Sequence, residues 1–321
     1  MSGVMDQEPW SDRWSGRVEP ASANPDVGSR YRGNKAPESL SSHGHRGGSR
    51  RRPRTSARRL LRLQDDLSAR ERCVLRSLAD CRLLTTGQLQ RLHFADHATE
   101  GAASRICRRV LARLQRLGGI EHLDRRIGGI RAGSAAYVWR VGPVGERLLR
   151  QDDSTPRGRH KQPGLRFVDH VLAIAECSVQ LVEADRRGDL DLLTVEHEPT
   201  CWRGFLGSYG SAETLKPDLF AVTANAEYED SWFIEVDRGT ESLPTVLRKC
   251  AQYERYQQSG REQAARDVFP AVLWVVPDES RATAMAAAIR RRYGKDQELF
   301  RVTTADCFLP TITGSSCTDK Q

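Results

Sequence analysis

Residues 215–256 read LKPDLFAVTANAEYEDSWFIEVDRGTESLPTVLRKCAQYERY, and the fold turns on how that stretch divides. LFAVT, just after Pro217, and SWFIEV are short apolar runs rich in β-branched and aromatic residues, which predicts two strands. The run SLPTVLRKCAQYERY changes to helical spacing. Asp218 opens the first strand, while Glu235 and Asp237 lie two apart near the end of the second, and side chains two apart on a strand share a face. If the strands are neighbours, three carboxylates converge. Their mutual repulsion is offset by a divalent cation or a shared proton, which makes Asp218, Glu235 and Asp237 candidate metal-binding and catalytic residues.

Working outward on the C-terminal side, AVLWVVP is a fully apolar strand of the kind found at a sheet centre, ESRATAMAAAIRRRYG a helix and ELFRVTTAD a last strand. On the N-terminal side, LRFVDHVLAIAECSVQLVEADRRG predicts a long amphipathic helix ended by Gly188, with Phe167, Val171, Ile174 and Leu181 on its buried face. LDLLTVEHEP adds a strand. The resulting order, α, β, β, β, α, β, α, β, predicts an α/β sheet domain over residues 165–309, with 310–321 a frayed, disordered tail.

The preceding residues have another character. SARERCVLRSLADC starts on Ser68 with Glu71 three residues later, a capping-box spacing, and carries Val74, Leu75 and Leu78 at helical intervals. LLTTGQLQRLHF gives a second helix started by Thr85 or Thr86. ASRICRRVLARLQRLGGI gives a third that stops at Gly118 and Gly119. On that third helix Ile106, Val110, Leu114 and Leu117 fall on one side, and Arg105, Arg108, Arg109, Arg113 and Arg116 on the other. Two strands then follow, IEHLDRRIG and AAYVWRV, joined by a basic turn carrying Arg125, Arg126 and Arg131. Three helices and a basic hairpin are the pattern of a winged helix-turn-helix, whose third helix enters the DNA major groove while the wing touches the neighbouring backbone. An arginine stripe alone is more often a solvated face; with the hairpin and a basic arm beside it, double-stranded DNA becomes the expected partner. A closing helix is expected to pack Val144, Leu148 and Leu149 back on this unit, which spans 63–150, and DDSTPRGRHKQPG makes 151–164 a linker.

Charge is distributed unevenly. Up to Arg62 there are 13 Lys and Arg against 6 Asp and Glu, so +7 of the chain's net +8 sits there. Residues 1–62, rich in Ser, Gly, Pro and Arg, are expected to be a disordered basic tail suited to nonspecific contact with phosphates. The 38% hydrophobic residues among 321 suffice for one or two ordinary cores. No apolar run approaches the length that spans a bilayer and the N-terminus lacks a signal-peptide layout, so the expected location is the cytoplasm. Eight scattered cysteines without a CxxC pair predict free thiols and no structural zinc. His93 and His97, four apart, are expected to be solvated or capping residues before metal ligands.

Pro217-Asp218, Glu235-Val236-Asp237 and a following helix with Lys249, Gln252 and Tyr256 resemble the PD-(D/E)xK nuclease fold. The resemblance implies that Asp218 and Glu235 hold Mg²⁺ or Mn²⁺ and that Gln252 and Tyr256 contact DNA. The lysine that positions the attacking water would fall at Asp237, a departure from the pattern that leaves Lys249 on the next helix as its replacement. Glu176 is a further possible ligand. With RIGGIRAGSAAYVW and LRFVDHVLAIAE, the chain from about Leu67 to about Thr304 also resembles the actinobacterial, plasmid-associated replication-relaxation family. That implies a role in plasmid replication or maintenance, with plasmid replication or transfer proteins as partners. Three functions follow as expectations: a DNA-binding protein with a degenerate nuclease-like domain, an active metal-dependent deoxyribonuclease using Asp218, Glu235, Asp237 and Lys249, or a regulator whose Trp202, Tyr209, Trp232 and Trp274 line a sensor pocket.

Overall fold

The computed structural model describes residues 56–127, 136–150, 163–207, 210–295 and 297–317, with backbone alone at 124–127 and 136. Arg131, Tyr209 and the greater part of the predicted tail and linker lie outside these residues. The chain divides into two units, Met1–Asp66 and Leu67–Gln321. In the first, helix α1 (Ala57–Asp66) begins where Ser56 Oγ accepts from Arg59 N at 3.3 Å. The predicted tail therefore does not extend unbroken to Arg62. The leucines at 60, 61 and 63 give its last residues an apolar stripe, and Leu63 is buried.

The second unit opens with α2 (Ala69–Cys81), whose Ser68 and Glu71 form the expected capping box. A two-residue strand β1 (Leu84–Thr85) leads into α3 (Thr86–His93), capped by Thr85 with Gln88 in a second box. The long α4 (Glu100–Leu117) ends on Gly118 in the left-handed conformation. Strands β2 (Ile120–Ile127) and β3 (Ala136–Val141) complete a three-stranded antiparallel sheet of order β1-β3-β2. The short α5 (Pro143–Leu149) seats on the α4 exit turn, with Gly142 N and Val144 N donating to Gly119 O and Gly118 O. Its glycines are what permit the approach: a Cβ at Gly145 would stand 2.1 Å from Gly119 O. Leu149, expected to pack inward, is exposed.

Helix α6 (Leu165–Arg187), ended by Gly188 as expected, is buried on a broad face because two layers pack on it. Val168, Val171 and Leu172 join Leu83, Leu123 and Val138 of the small sheet in one apolar cluster. Phe167, predicted to be buried, stands 45% exposed in the first turn, short of both layers. Polar contacts reinforce this seam: Gln88 Nε2 donates to Leu172 O at 3.1 Å and Arg186 Nη1 to Arg91 O at 2.6 Å.

The larger sheet is mixed, with order β10-β9-β8-β7-β4. β4 (Asp191–His197), β7 (Leu219–Ala224) and β8 (Glu229–Val236) are antiparallel, whereas β8, β9 (Ala271–Val276) and β10 (Phe300–Thr304) are parallel. The hairpin of β5 (Arg203–Leu206) and β6 (Ala212–Leu215) lies outside this ladder. Helices α7 (Leu243–Gln258) and α9 (Glu279–Tyr293) make the two crossovers, and the short α8 (Arg261–Arg266) follows α7. Alternation then sorts the sheet: Phe220, Val222, Phe233, Val272, Trp274 and Val276 pack with Val246, Cys250, Tyr253, Tyr256, Met285 and Ile289 of α7 and α9. Trp232 and Trp274, offered as pocket residues, are fully buried core.

The chain end departs from expectation. Residues 308–313 form α10 (Phe308–Thr313), which buries Phe308 and Ile312, and Cys307 and Cys317 form a disulfide. These two cysteines are not the free thiols expected, while the other six are free and buried. No helix among the described residues is long and apolar enough to cross a membrane.

Candidate functional site

The register places the predicted carboxylates together at one end of the larger sheet. Leu219 of β7 pairs with Ile234 of β8, so Asp218, one residue earlier, falls opposite Glu235. Its Oδ2 accepts from Val236 N at 2.8 Å, and its Oδ1 lies 3.4 Å from His170 Nε2 on α6. Glu235, one position back on β8, points under α7. One of its oxygens accepts from Lys249 Nζ and the other from the Tyr253 hydroxyl, and its side chain is 1% exposed. Lys249 and Tyr253 are four apart and so share one face of α7.

The electrostatics follow from burial. Burial pushes Glu235 above the usual carboxylate range, with the Lys249 ammonium pulling it back and the Asp218 charge adding to the rise. Burial by itself would lower Lys249, but the charges of Glu235 and Asp218 raise it. At Asp218 burial also acts upward, yet the His170 hydrogen bond and the Lys249 charge hold this carboxyl below its ordinary value. The same hydrogen bond raises His170. Asp218, Glu235 and Lys249 are thus one coupled group, to which the structure adds His170 and Tyr253.

Asp237 takes different partners. Its Oδ2 accepts from Arg281 Nε at 2.6 Å and its Oδ1 from Gly239 N at 2.9 Å, while Arg281 Nη2 also donates to Glu241 O at 2.7 Å. Glu176 faces the other way along α6, accepting from Gln88 Nε2 at 3.0 Å and Arg91 Nη1 at 2.6 Å. Tyr256 is a core residue whose hydroxyl donates to Glu262, and Gln252 Nε2 holds Thr214 O at 3.1 Å. Tyr256 therefore has no surface to offer DNA.

The fit of a divalent ion can be judged on these donors. Every oxygen of Asp218, Glu235 and Asp237 already faces a protein donor, and among the described residues no three His, Cys, Asp or Glu side chains are grouped to hold a metal ion. The Mg²⁺ or Mn²⁺ implied by the nuclease resemblance does not fit this arrangement: the buried ammonium of Lys249 supplies the positive charge that offsets the carboxylates.

A second set of residues lies on α4. Ala103, Cys107, Leu111 and Leu114 are its buried stripe, while Ile106, Val110 and Leu117 are half-buried, so the inward face is turned from the predicted one toward the smaller side chains. Arg113 is not part of the outer stripe: it pairs with Glu71, whose carboxyl also closes the α2 capping box. Arg105, Arg108, Arg109 and Arg116 are exposed, and among the described residues none has a carboxylate within ion-pair distance; Arg108 Nε donates to its own helix at Ser104 O. α4 packs beside β2, whose backbone carries Arg125 and Arg126.

A family model described as replication-relaxation matches residues 75–272. The chain belongs to the replication-relaxation family. The match takes in α4, the β2–β3 hairpin and the whole Asp218–Glu235–Lys249 group, which makes both sets of residues part of the replication-relaxation region. No curated protein and no solved structure matches the chain.

Three residues of the site were not anticipated, and each left a trace in the sequence. Tyr253 lies one turn beyond Lys249. Arg281 is a cation in the first turn of α9, where the helix dipole disfavours it, so a carboxylate partner was implied. His170 interrupts the apolar face of α6 near its start.

Proposed function

We propose that this replication-relaxation protein binds duplex DNA through α4 and the β2–β3 hairpin in the manner of a winged helix, and that its sheet half is a nuclease-like module without phosphodiester cleavage. Its role would be in plasmid replication or maintenance. One observation carries the reading: α4 buries a narrow stripe of small and branched side chains and turns Arg105, Arg109 and Arg116 outward, with no carboxylate among the described residues to pair them. Exposed guanidinium groups on one helix face are suited to donating to phosphate and base-edge acceptors in a major groove. Arg105→Ala with Arg109→Ala should lower duplex affinity and reduce the slope of log affinity against log salt by about 0.9 for every phosphate no longer neutralised. Circular dichroism should be unchanged. An unaltered salt slope in a folded variant would dispose of α4 as the DNA-binding element.

The grouping of Lys249 with Asp218 and Glu235 favours a second reading, a metal-dependent nuclease with a migrated lysine, and a metal titration separates the two. Under the first reading neither Mg²⁺ nor Mn²⁺ shifts the melting temperature at neutral pH, and supercoiled DNA stays intact. A saturable shift with either ion that Asp218→Asn abolishes, accompanied by nicking that Lys249→Ala abolishes, would establish the nuclease instead.

A further inference from the structure

Helix α9 holds a second concentration of cations, separate from those of α4. From Ser280 to Lys295 the chain carries Arg281, Arg290, Arg291, Arg292 and Lys295 and no Asp or Glu. Arg281 is taken by Asp237. The other four lie in or just past the last turn, at the end of the sheet opposite to the Asp218–Glu235–Lys249 group, because α9 returns from the end of β9 to the start of β10. All four are exposed, and among the described residues none has a carboxylate within ion-pair distance. The helix dipole explains why cations are tolerated there. It does not explain why they are left unpaired, when Arg91, Arg113, Arg203, Arg255 and Arg266 of the same unit each have a carboxylate.

The surface beside them is shaped. A groove of about 170 Å³ runs between α9 and β10, the edge strand of the sheet; Arg290 and Lys295 flank it, and Ile289, Phe300 and Val302 lie along its floor. Gly294, at a φ of 91°, turns the chain between the helix and Lys295 so that cations from both sides face one groove. Arg290 and Lys295 at the groove, with Arg291 and Arg292 exposed on the same helical turn, make a positively charged surface of the kind a polyanion's backbone follows.

We propose that the C-terminal turn of α9 and the adjoining groove are a second nucleic-acid contact, in which Arg290, Arg291, Arg292 and Lys295 bind phosphodiester groups without reading bases. The site is separate from α4 and does not depend on it. The test uses the full chain in four forms: native, Arg290→Ala/Arg291→Ala/Lys295→Ala, Arg105→Ala/Arg109→Ala, and all five changes together. Each is titrated over a range of salt with random-sequence duplex, with single strands of equal length, and with polyglutamate. The α9 changes should reduce the salt slope in both the native and the α4-altered protein, by about 0.9 for every phosphate left free on duplex or about 0.7 on single strands, and the form of DNA showing the greater drop in affinity identifies the ligand. Melting temperature should not move; Arg291→Glu, a single change at an exposed position, should weaken binding in the same direction. An unchanged slope on both nucleic acids overturns the proposal, as does an equal weakening with polyglutamate, which would assign the groove to an acidic protein. Weaker binding on changing α4 alone, with none on changing α9, also overturns it; the converse overturns the α4 reading and leaves this one standing.

Discussion

Lys249→Met is expected to destabilise the fold by about 3 kcal/mol or more at neutral pH, and Glu235→Gln added to it should restore a large part of that loss. The reason is burial. The Glu235 side chain is 1% exposed, and its two oxygens face Lys249 and Tyr253. With the ammonium removed, one oxygen is left in an apolar layer beneath α7 with neither a counter-charge nor water, and the carboxyl responds by keeping a proton. The variant's pH dependence then has a defined sign. Glu235 already has a folded-state pKa raised above its ordinary value of 4.5, and without Lys249 it rises further. A raised carboxyl binds its proton more tightly folded than unfolded, so its stabilising contribution is full below pH 4.5 and is lost as pH rises through the folded value. Urea unfolding of Lys249→Met should accordingly show a midpoint that falls steadily from pH 6 to pH 9. Lys249→Met/Glu235→Gln should lack that fall, since an amide keeps the Tyr253 hydrogen bond and does not titrate. A cost under about 1 kcal/mol, or equal pH dependence in single and double variants, would mean that the pair is not buried as described.

The frame of the molecule was legible because its signals are local. Apolar runs of strand length, the Ser68 and Thr85 capping boxes, and the glycines at 118 and 188 mark elements without reference to anything distant, and the structure places strands, caps and stops where those residues lie. The faces were harder. On α4 the sequence draws attention to Ile106 and Val110, but the helix approaches its neighbours through Ala103 and Cys107, whose small side chains permit close packing. Partners were hardest of all. Asp237 reads as a strand-end carboxylate in a cluster, yet its cation is Arg281, 44 residues away and beyond the β9 crossover. Lys249, in contrast, was found beside Glu235 through the resemblance, and the structure pairs its ammonium with that carboxylate. The α1 and α10 segments were missed for a plain reason. Each is a single short amphipathic helix next to polar, small-residue sequence, and composition averaged over such a stretch hides it.

The native protein should lose stability as pH falls from about 6.5 to about 4, and His93 and His197 should account for the loss. Burial lowers His197 to about 4, and burial together with the charges of Arg186 and Arg70 lowers His93 to about 3, from an ordinary value of 6.5. Both imidazoles are therefore neutral in the fold. Unfolded, each takes up a proton as pH drops through 6.5; folded, each refuses it until far lower pH, so the stability they contribute is complete above 6.5 and disappears on the way down. Both residues are half-buried, and discounted for that exposure the loss is on the order of 2 kcal/mol for the two together. Their positions say what gives way. His197 ends β4 and its Nε2 lies 3.4 Å from Cys81 Sγ at the end of α2, and His93 ends α3 with Nε2 3.0 Å from Ser77 Oγ on α2. Charging either ring loosens α2, the helix that holds Arg113 of α4 through Glu71. Two groups act against the trend: Glu235, raised by burial, contributes more as pH drops toward 4.5, and His170, raised by Asp218, gives its full contribution below 6.5. The measurement that isolates the two histidines is the difference in urea stability between native protein and His93→Gln/His197→Gln at pH 7.5 and at pH 5. The gap should shift by about 2 kcal/mol in favour of the variant at the lower pH. Parallel curves for the two proteins across that range would show that neither ring is held neutral by the fold.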